Sequence, residues 1–364
     1  MIPSRMRSIV ATAAVAILSL SACSTGPSGG TTEGSAGNSQ NSSSSADAFP
    51  VTIKHKFGET TLKEKPERVA TVSWVNADIS LALGVVPIGM PKQEWGGNEN
   101  LSTPWFDAAL AEAGVTEAAT GEGSGPEAAG IATYSELDGV NFEEVAKTTP
   151  DVILASYSGL TKEDYDTLSK IAPVIAYPEV AYGTPWQKAT TMIGKALGES
   201  AKAKDLVATT EKTIETEAAK YPQIEGKTFI YGNLEPNSGT GMNIYTSQDN
   251  RPRFLSSIGM EMAPVIEKAE KKSGFFLQWS AERADELESD VFVTWVPDKK
   301  TKQAIKTDPL LGQVPAIEDG ALVADSDNTL TLAISAASPL SLPWALDEFL
   351  PQLGEAATVA EKTK

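Results

Sequence analysis

The chain has 364 residues, of which 41% are hydrophobic and 7% aromatic, and this is enough apolar material for two folded cores. Its formal net charge of -18 argues against nucleic acid as a partner, because phosphate binding requires a basic surface stripe that this sequence lacks. The single cysteine, Cys23, excludes an internal disulfide and calls for another explanation.

The first 49 residues have the composition of an export signal followed by a tether. Two arginines precede an apolar run over residues 9–20, which is shorter than the ~20 residues that a membrane span needs. The run ends in Leu20-Ser-Ala-Cys23, which looks like a bacterial lipobox. We therefore expect a signal peptide over 1–22, and a lipidated Cys23 opening a flexible Ser- and Gly-rich tether over 23–49. A plain secretory signal with an incidental cysteine is the alternative.

Strand and helix patterns alternate along the rest of the chain. After a β-like pair over 51–62, short apolar runs bounded by turn residues predict strands at 69–73, 85–89, 151–155, 174–177, 228–231, 290–295 and 321–324. Such alternation predicts an α/β fold with central, mostly parallel sheets in two Rossmann-like lobes, an N-terminal lobe over 50–184 and a C-terminal lobe over 222–364.

The stretch between the lobes, 185–221, has the pattern of one long, nearly unbroken helix. Trp186, Ala189 and Ile193 follow helical spacing, and Pro222 ends the run. The segments on either side of it match in pairs, 68–74 with 227–233 and 150–157 with 289–295. The simplest interpretation is two similar lobes joined by one helix.

Aromatic and cationic side chains collect after the predicted strands, where open α/β sheets bind their ligands. The candidate ligand contacts are Trp74, Lys92, Trp95, Tyr157, Tyr231, Arg251, Arg253 and Trp295. Any one of the rings could instead belong to a core, but a cleft needs such amphipathic rings, and an arginine can both pair with anionic oxygens and stack on a ring. Because Pro252 separates the two arginines, we expect one of them, preferably Arg253, in the cleft and the other paired with an acid.

Motifs of catalysis and of metal binding are missing from the sequence. It contains no Walker lysine motif, no dinucleotide glycine fingerprint and no HExxH, and the Gly-rich stretch 121–126 follows no predicted strand. The one histidine, His55, lies near the start of the first lobe, so neither a several-histidine metal site nor a Ser-His-Asp set can be assembled. We therefore expect a binding protein with no catalytic residue, metal ligand or cofactor of its own.

Four segments together resemble the iron-siderophore substrate-binding proteins of ABC importers, the helical-backbone or class III receptors. The segments are RVATVSWVNADISLALGVVPIG (68–89), NFEEVAKTTPDVILASYSGLTKEDYDTLSKIAPVIAYP (141–178), TPWQKATTMIGKALG (184–198) and SAERADELESDVFVTW (280–295). The resemblance implies a receptor lipid-anchored at the outer face of the cytoplasmic membrane, which hands a ferric siderophore unchanged to a permease dimer with its cytoplasmic ATPase. A receptor of the same fold for cobalamin or haem stays open as an alternative, and an extracellular enzyme on a similar fold is a more distant one.

The resemblance also implies two carboxylates that dock the receptor to its permease. Glu143 precedes the strand predicted at 151–155, Glu282 precedes the one at 290–295, and each looks like the family glutamate that meets a permease arginine. A helix dipole alone would also favour a glutamate in a first turn. Glu144 and Glu286 are the neighbours most easily confused with them.

Overall fold

The computed structural model describes residues 47–236, 241–270 and 274–363. The predicted signal peptide, Cys23 and nearly all of the predicted tether lie outside these ranges. Both lobes belong to one compact unit, Ser44–Lys364. Among the residues described, no helix combines the length and the apolar character that crossing a membrane requires.

The first lobe is built on a sheet of five parallel strands, preceded by an antiparallel ribbon. The ribbon is β1 (Val51–His55) and β2 (Gly58–Leu62), and the sheet contains β3 (Val69–Thr71), β4 (Gly89–Pro91), β5 (Ala132–Tyr134), β6 (Val152–Ala155) and β7 (Val174–Ala176) in the order β5-β4-β3-β6-β7. Its helices are α1 (Asn76–Ala82), α2 (Pro104–Glu112), α3 (Gly125–Ala128), α4 (Phe142–Lys147) and α5 (Lys162–Leu168).

Both faces of this sheet are buried, which explains why its strands are apolar throughout rather than alternating. In β6, Val152 and Leu154 pack into a hydrophobic cluster that continues into the second lobe. Ile153 and Ala155 pack into a smaller cluster on the other face, since successive side chains of a strand point to opposite sides. The shared cluster makes the two lobes one folding unit.

The link between the lobes is two helices, so the prediction of one helix over 185–221 is wrong. α6 (Trp186–Ala196) and α7 (Ser200–Ala218) are separated at Gly198, whose φ of 70° lies in the left-handed region that ends helices. The helices pack together where a Cβ on Gly194 would lie 2.3 Å from the side chain of Ala203. The apolar spacing continues through the break, and for this reason periodicity alone suggested one helix.

The second lobe has a mixed six-stranded sheet. Its strands are β8 (Thr228–Leu234), β9 (Met242–Tyr245), β10 (Glu261–Met262), β11 (Phe276–Trp279), β12 (Val291–Trp295) and β13 (Leu322–Asp325), in the order β11-β9-β8-β12-β13 with β10 also paired to β8. β8, β10, β12 and β13 are parallel, whereas β9 runs antiparallel to both β8 and β11. The polar composition of residues 233–243 predicts a loop there. Both bounds of this prediction are wrong, because β8 extends to Leu234 and β9 starts at Met242.

The helices of the second lobe cover this sheet and return to the first lobe. They are α8 (Asn250–Ser257), α9 (Pro264–Ala269), α10 (Lys299–Thr307), α11 (Pro315–Glu318), α12 (Asn328–Ser335) and α13 (Ser341–Thr363). α13 packs against α7 and α12 and also contacts α2 of the first lobe. Trp344 on α13 lies against Trp105 on α2, with ring centroids 5.2 Å apart.

A buried carboxylate joins the two lobes beside this tryptophan pair. Asp78 on α1 accepts hydrogen bonds from Trp105 Nε1 at 2.7 Å and from Ser338 Oγ, between α12 and α13, at 2.7 Å. Burial raises the pKa of Asp78 to about 6, although both hydrogen bonds favour the ionised form. The carboxylate therefore ties α1 and α2 to the second lobe.

Asp78→Ala should destabilise the protein by ~1–3 kcal/mol, because it leaves the indole N–H of Trp105 and the hydroxyl of Ser338 without an acceptor. Asp78→Asn keeps a carbonyl oxygen there and should cost less. Because the folded-state pKa is raised, ionisation opposes folding, and the contribution of Asp78 to stability falls as the pH rises from about 4 through 6. Urea denaturation across this pH range should show this fall in the free energy of unfolding in the wild type and not in Asp78→Asn. An unchanged pH profile in Asp78→Asn would contradict the assignment.

Candidate ligand-binding cleft

A cleft of about 490 Å³ lies between the lobes at the carboxyl ends of their parallel strands. The first lobe lines it with Trp74, Trp95, Tyr157 and Tyr182, and the second lobe with Asn233, Asp249, Arg251, Phe275, Trp295, Thr331, Leu332 and Ser335. Trp74 follows β3, Tyr157 follows β6 and Trp295 ends β12. The cleft is therefore at the place where open α/β sheets bind ligands, and its volume suits a small molecule.

Aromatic rings form two groups on its walls. In the first lobe, the ring centroid of Tyr182 is 5.9 Å from that of Trp74 and 5.9 Å from that of Tyr157. Across the lobes, Trp95 meets Trp295 edge-on with centroids 5.9 Å apart. Trp74, Trp95 and Tyr182 are 43%, 42% and 38% exposed. Large rings gathered in a concave site at such exposure provide a surface for a ligand.

The cation of the cleft, Arg251, is held by an acid and two rings. Asp249 caps α8 and accepts from Arg251 Nε and Nη2, each at 2.7 Å, and the guanidinium carbon lies 3.3 Å from the ring centroid of Tyr245 and 5.8 Å from that of Tyr231. Burial disfavours its charge, but the hydrogen bonds and the charge of Asp249 outweigh burial and raise the pKa of Arg251. The pair is rigid and carries no net charge.

Five of the eight predicted ligand contacts line this cleft: Trp74, Trp95, Tyr157, Arg251 and Trp295. Tyr231 is 2% exposed and lies behind Arg251, where it supports the guanidinium. Lys92 is not among the lining residues, and its backbone N–H donates to the carbonyl of Tyr134 in the neighbouring strand.

Arg253, which we favoured for the cleft, lies elsewhere. Its Nη1 donates to the carbonyl of Gly183 in the first lobe at 2.9 Å, so it bridges the lobes, and burial lowers its pKa. The sequence pattern predicts a helix over 253–258, whereas α8 starts at Asn250. Both arginines are therefore in the first turn and point in different directions, with Arg251 on the cleft side.

Several lining residues were not predicted. Tyr182 lies farther beyond β7 than Tyr157 lies beyond β6, and the rule of aromatic residues after strands would have selected the buried Tyr177 instead. Asp249 stands directly before the arginines that we did consider. Phe275 and the three residues on α12 carried no such signal, because only the packing of the second lobe brings them to the cleft.

The two predicted docking glutamates lie on the surface of separate lobes. Glu143 is in the first turn of α4 with its side chain 81% exposed, 3.1 Å from Lys147 Nζ. Glu282 is exposed in a 3₁₀ helix, Ala281–Glu286. Its neighbour Glu286 is engaged by Arg283, with Nε to Oε1 at 2.8 Å.

From its place near the start of the first lobe, His55 is expected on a surface strand. The structure instead buries it in the ribbon. Its Nε2 lies 2.9 Å from Thr60 Oγ1, and burial lowers its pKa. Within the described ranges, no group of three or more His, Cys, Asp or Glu side chains could hold a metal ion.

Two α/β lobes that enclose a ligand-sized cleft define a solute-binding protein, and comparisons with known proteins give the family. The family model described as periplasmic binding protein matches residues 69–329, so the chain belongs to this family of substrate-binding transport proteins, whose members are not enzymes. Its fold is the two-lobe fold of the class III receptors, which confirms the predicted fold class.

Three relatives are informative. The structure of Streptococcus pneumoniae TIGR4 PiaA in complex with ferrichrome is 38% identical, with a TM-score of 0.76, and the match covers 85% of this chain and 99% of that one. The ferric enterobactin-binding periplasmic protein FepB of Escherichia coli O6:H1 is 23% identical, over 78% of this chain and 86% of that protein. YfiY, a probable siderophore-binding lipoprotein of Bacillus subtilis, is 25% identical, over 55% of this chain and 51% of that protein.

Arg251→Ala should lower stability by ~3 kcal/mol, because it leaves the carboxylate of Asp249 buried and uncompensated. Adding Asp249→Asn to the same variant should restore part of this loss, since asparagine still caps α8 but carries no charge. Urea denaturation of the single and double variants measures the difference. If the double variant is no more stable than Arg251→Ala, the loss of stability does not come from the unpaired charge of Asp249.

Proposed function

We propose that this protein is the receptor of an ABC importer for a ferric siderophore, which it captures in the cleft between its lobes and delivers unchanged to the permease. The observation that carries the proposal is the cleft itself, which is lined by aromatic rings from both lobes together with an ion-paired arginine. The relatives support it, since PiaA holds ferrichrome and FepB is named for ferric enterobactin.

The chemistry of the cargo explains the chemistry of the cleft. In a ferric siderophore the oxygens of the chelator already surround the iron, so the receptor needs no metal ligand. It needs flat apolar walls and a few fixed donors that recognise the outside of the chelate. Trp74, Trp95 and Trp295 offer such walls, and Arg251 offers a fixed donor group.

The charge balance of the cleft favours a neutral chelate of the hydroxamate type. The charges of Arg251 and Asp249 cancel, and no other lining residue carries a charge. Three hydroxamates neutralise Fe(III), whereas three catecholates leave the complex trianionic. Moving a trianion out of water into a cleft without net positive charge is unfavourable.

Haem and cobalamin fit the cleft less well. Haem needs an axial ligand, and the lining residues include no His, Cys or Met. Tyr157 and Tyr182 line the cleft, but burial raises the pKa of both, which opposes the phenolate that would bind iron. No observation on the cleft favours cobalamin.

A titration of the purified protein with a panel of chelates tests this function. Ferrichrome should quench the tryptophan fluorescence of the protein. Ferric enterobactin should bind roughly tenfold more weakly or worse, which corresponds to a loss of about 1.4 kcal/mol in binding free energy. Iron-free ferrichrome, haemin and cyanocobalamin are the controls, the last two followed by their own absorption spectra. Tight binding of haemin or cobalamin without binding of any ferric chelate would overturn the proposal, and a preference for the catecholate would overturn the charge argument alone.

For the location we propose an extracytoplasmic receptor held at the outer face of the membrane by lipid on Cys23. The family is periplasmic, and the relative YfiY is named a lipoprotein, which supports this location. Cys23 itself lies outside the described residues, so the proposal rests on the Leu20-Ser-Ala-Cys23 motif.

For docking we propose that Glu143 and Glu282 contact the two permease subunits. One exposed carboxylate on each lobe lets a two-lobed receptor sit across a transporter with two-fold symmetry, and opposite charges orient the encounter.

The double variant Glu143→Ala with Glu282→Ala should keep ligand affinity and melting temperature, because exposed charges contribute little to stability. It should lose most siderophore-stimulated ATP hydrolysis by the reconstituted transporter. Glu144→Ala with Glu286→Ala is the matched control, since these neighbours lie on the same two helices. Equal ATPase stimulation by both double variants would remove the docking assignment.

A further inference from the structure

The wall residue Trp74 stands on an unusual stretch of backbone. The residues on either side of it, Ser73 and Val75, have φ angles of 61° and 59°. This left-handed region is unfavourable for residues other than glycine, and most of all for a β-branched residue such as valine. Such a conformation persists only where the surroundings impose it. The orientation of Trp74 in the cleft therefore depends on whatever holds this segment.

Two side chains hold it, the carboxylate of Glu136 and the amide of Asn76, whose Nδ2 donates to the carbonyls of Val72 at 2.9 Å and of Trp74 at 2.8 Å. Glu136 lies two residues after β5, and its Oε2 accepts the backbone N–H of Ser73 at 2.9 Å. Its other oxygen, Oε1, is buried without a hydrogen-bond partner. No ion pair in the described part of the chain includes Glu136, and burial raises its pKa to about 7 against the effect of the Ser73 hydrogen bond. Burying this charge is costly, and the hydrogen bond from Ser73 offsets only part of that cost.

The same carboxylate also acts on the ring beside Trp74. Burial and, next, the charge of Glu136 raise the pKa of Tyr182, whose ring centroid is 5.9 Å from that of Trp74. Tyr182 also has a left-handed φ, of 55°. Glu136 thus acts on Trp74 through the backbone of Ser73 and on Tyr182 through its charge, without itself lining the cleft.

We propose that Glu136 is a positioning residue for ligand binding: through its hydrogen bond to Ser73 it keeps the backbone around Trp74 left-handed, and so fixes the Trp74 ring against Tyr182 in the cleft wall. The role in affinity rests on the proposed function, whereas the role in placing Trp74 does not depend on any ligand.

The placement is tested first on the ligand-free protein. The indole N–H signal of Trp74 in a ¹⁵N-¹H NMR spectrum is assigned from its absence in Trp74→Phe, and that of Trp295 likewise from Trp295→Phe. Glu136→Ala should shift or broaden the Trp74 signal and leave the Trp295 signal in place. Glu136→Gln, whose carbonyl oxygen can still accept from Ser73, should retain the wild-type Trp74 signal. A merely structural role would instead lower the melting temperature and disturb both signals, and an unmoved Trp74 signal in Glu136→Ala would overturn the proposal.

The effect on affinity is tested by a double-mutant cycle with ferrichrome as the probe. Glu136→Ala should weaken binding about tenfold in the wild type, as expected for the loss of one charge-assisted hydrogen bond, and should have no further effect in a Trp74→Ala background. In a Trp295→Ala background, the matched control, the tenfold loss should remain. Additive losses with Trp74→Ala would contradict a role acting through Trp74. If ferrichrome does not bind at all, the choice of a neutral hydroxamate chelate fails, and the NMR experiment still decides the role of Glu136 in placing Trp74.

Discussion

The direction of the parallel strands is the constraint on which the binding site depends. All five strands of the first sheet run the same way, so the residues that follow β3, β6 and β7 emerge at one edge and bring Trp74, Tyr157 and Tyr182 together. In the second lobe, β8 and β12 are parallel neighbours, and Asn233 and Trp295 lie at their ends. The cleft exists because these two edges face each other.

Several links between the lobes limit how far that cleft can open. Asp78 is bound by Ser338 of the second lobe, Trp105 packs on Trp344, and Arg253 reaches the carbonyl of Gly183. A hydrophobic cluster is shared by both lobes. A wide hinge motion would break buried hydrogen bonds and separate packed rings, so we expect the lobes to close on a ligand by small movements.

Charge affects ligand selection both during the approach of the ligand and inside the cleft. The chain carries a net charge of -18, which repels polyanions as they approach. Inside the cleft, Asp249 cancels the charge of Arg251, so a polyanion would gain little on arrival. Both effects favour a neutral chelate, which is recognised by its surface rather than by its charge. Recognition of the chelate then depends mainly on the aromatic rings of the wall. Glu136 contributes to it by holding the backbone beside Trp74.

Sequence patterns were enough to locate the two α/β lobes and most of the aromatic contacts. Apolar runs bounded by turn residues located the central strands, and the rule that ligands bind after such strands selected Trp74, Tyr157 and Trp295. These features are local, because a strand pattern and the residue after it can be read within a short window. The resemblance of four segments to the iron-siderophore receptors added the function.

The folded structure was needed to find which cation faces the cleft, where the linking helix breaks and which side chains hold Trp74. Arg251 and Arg253 are two residues apart in one helical turn, so the start of α8 and the pairing with Asp249 choose between them. Helical spacing continues through Gly198 although the chain turns there. Glu136 and Ser73 are 63 residues apart in the chain and meet only because β5 and β3 belong to one sheet. Contacts of this kind depend on packing between distant segments, and a local sequence pattern carries no record of them.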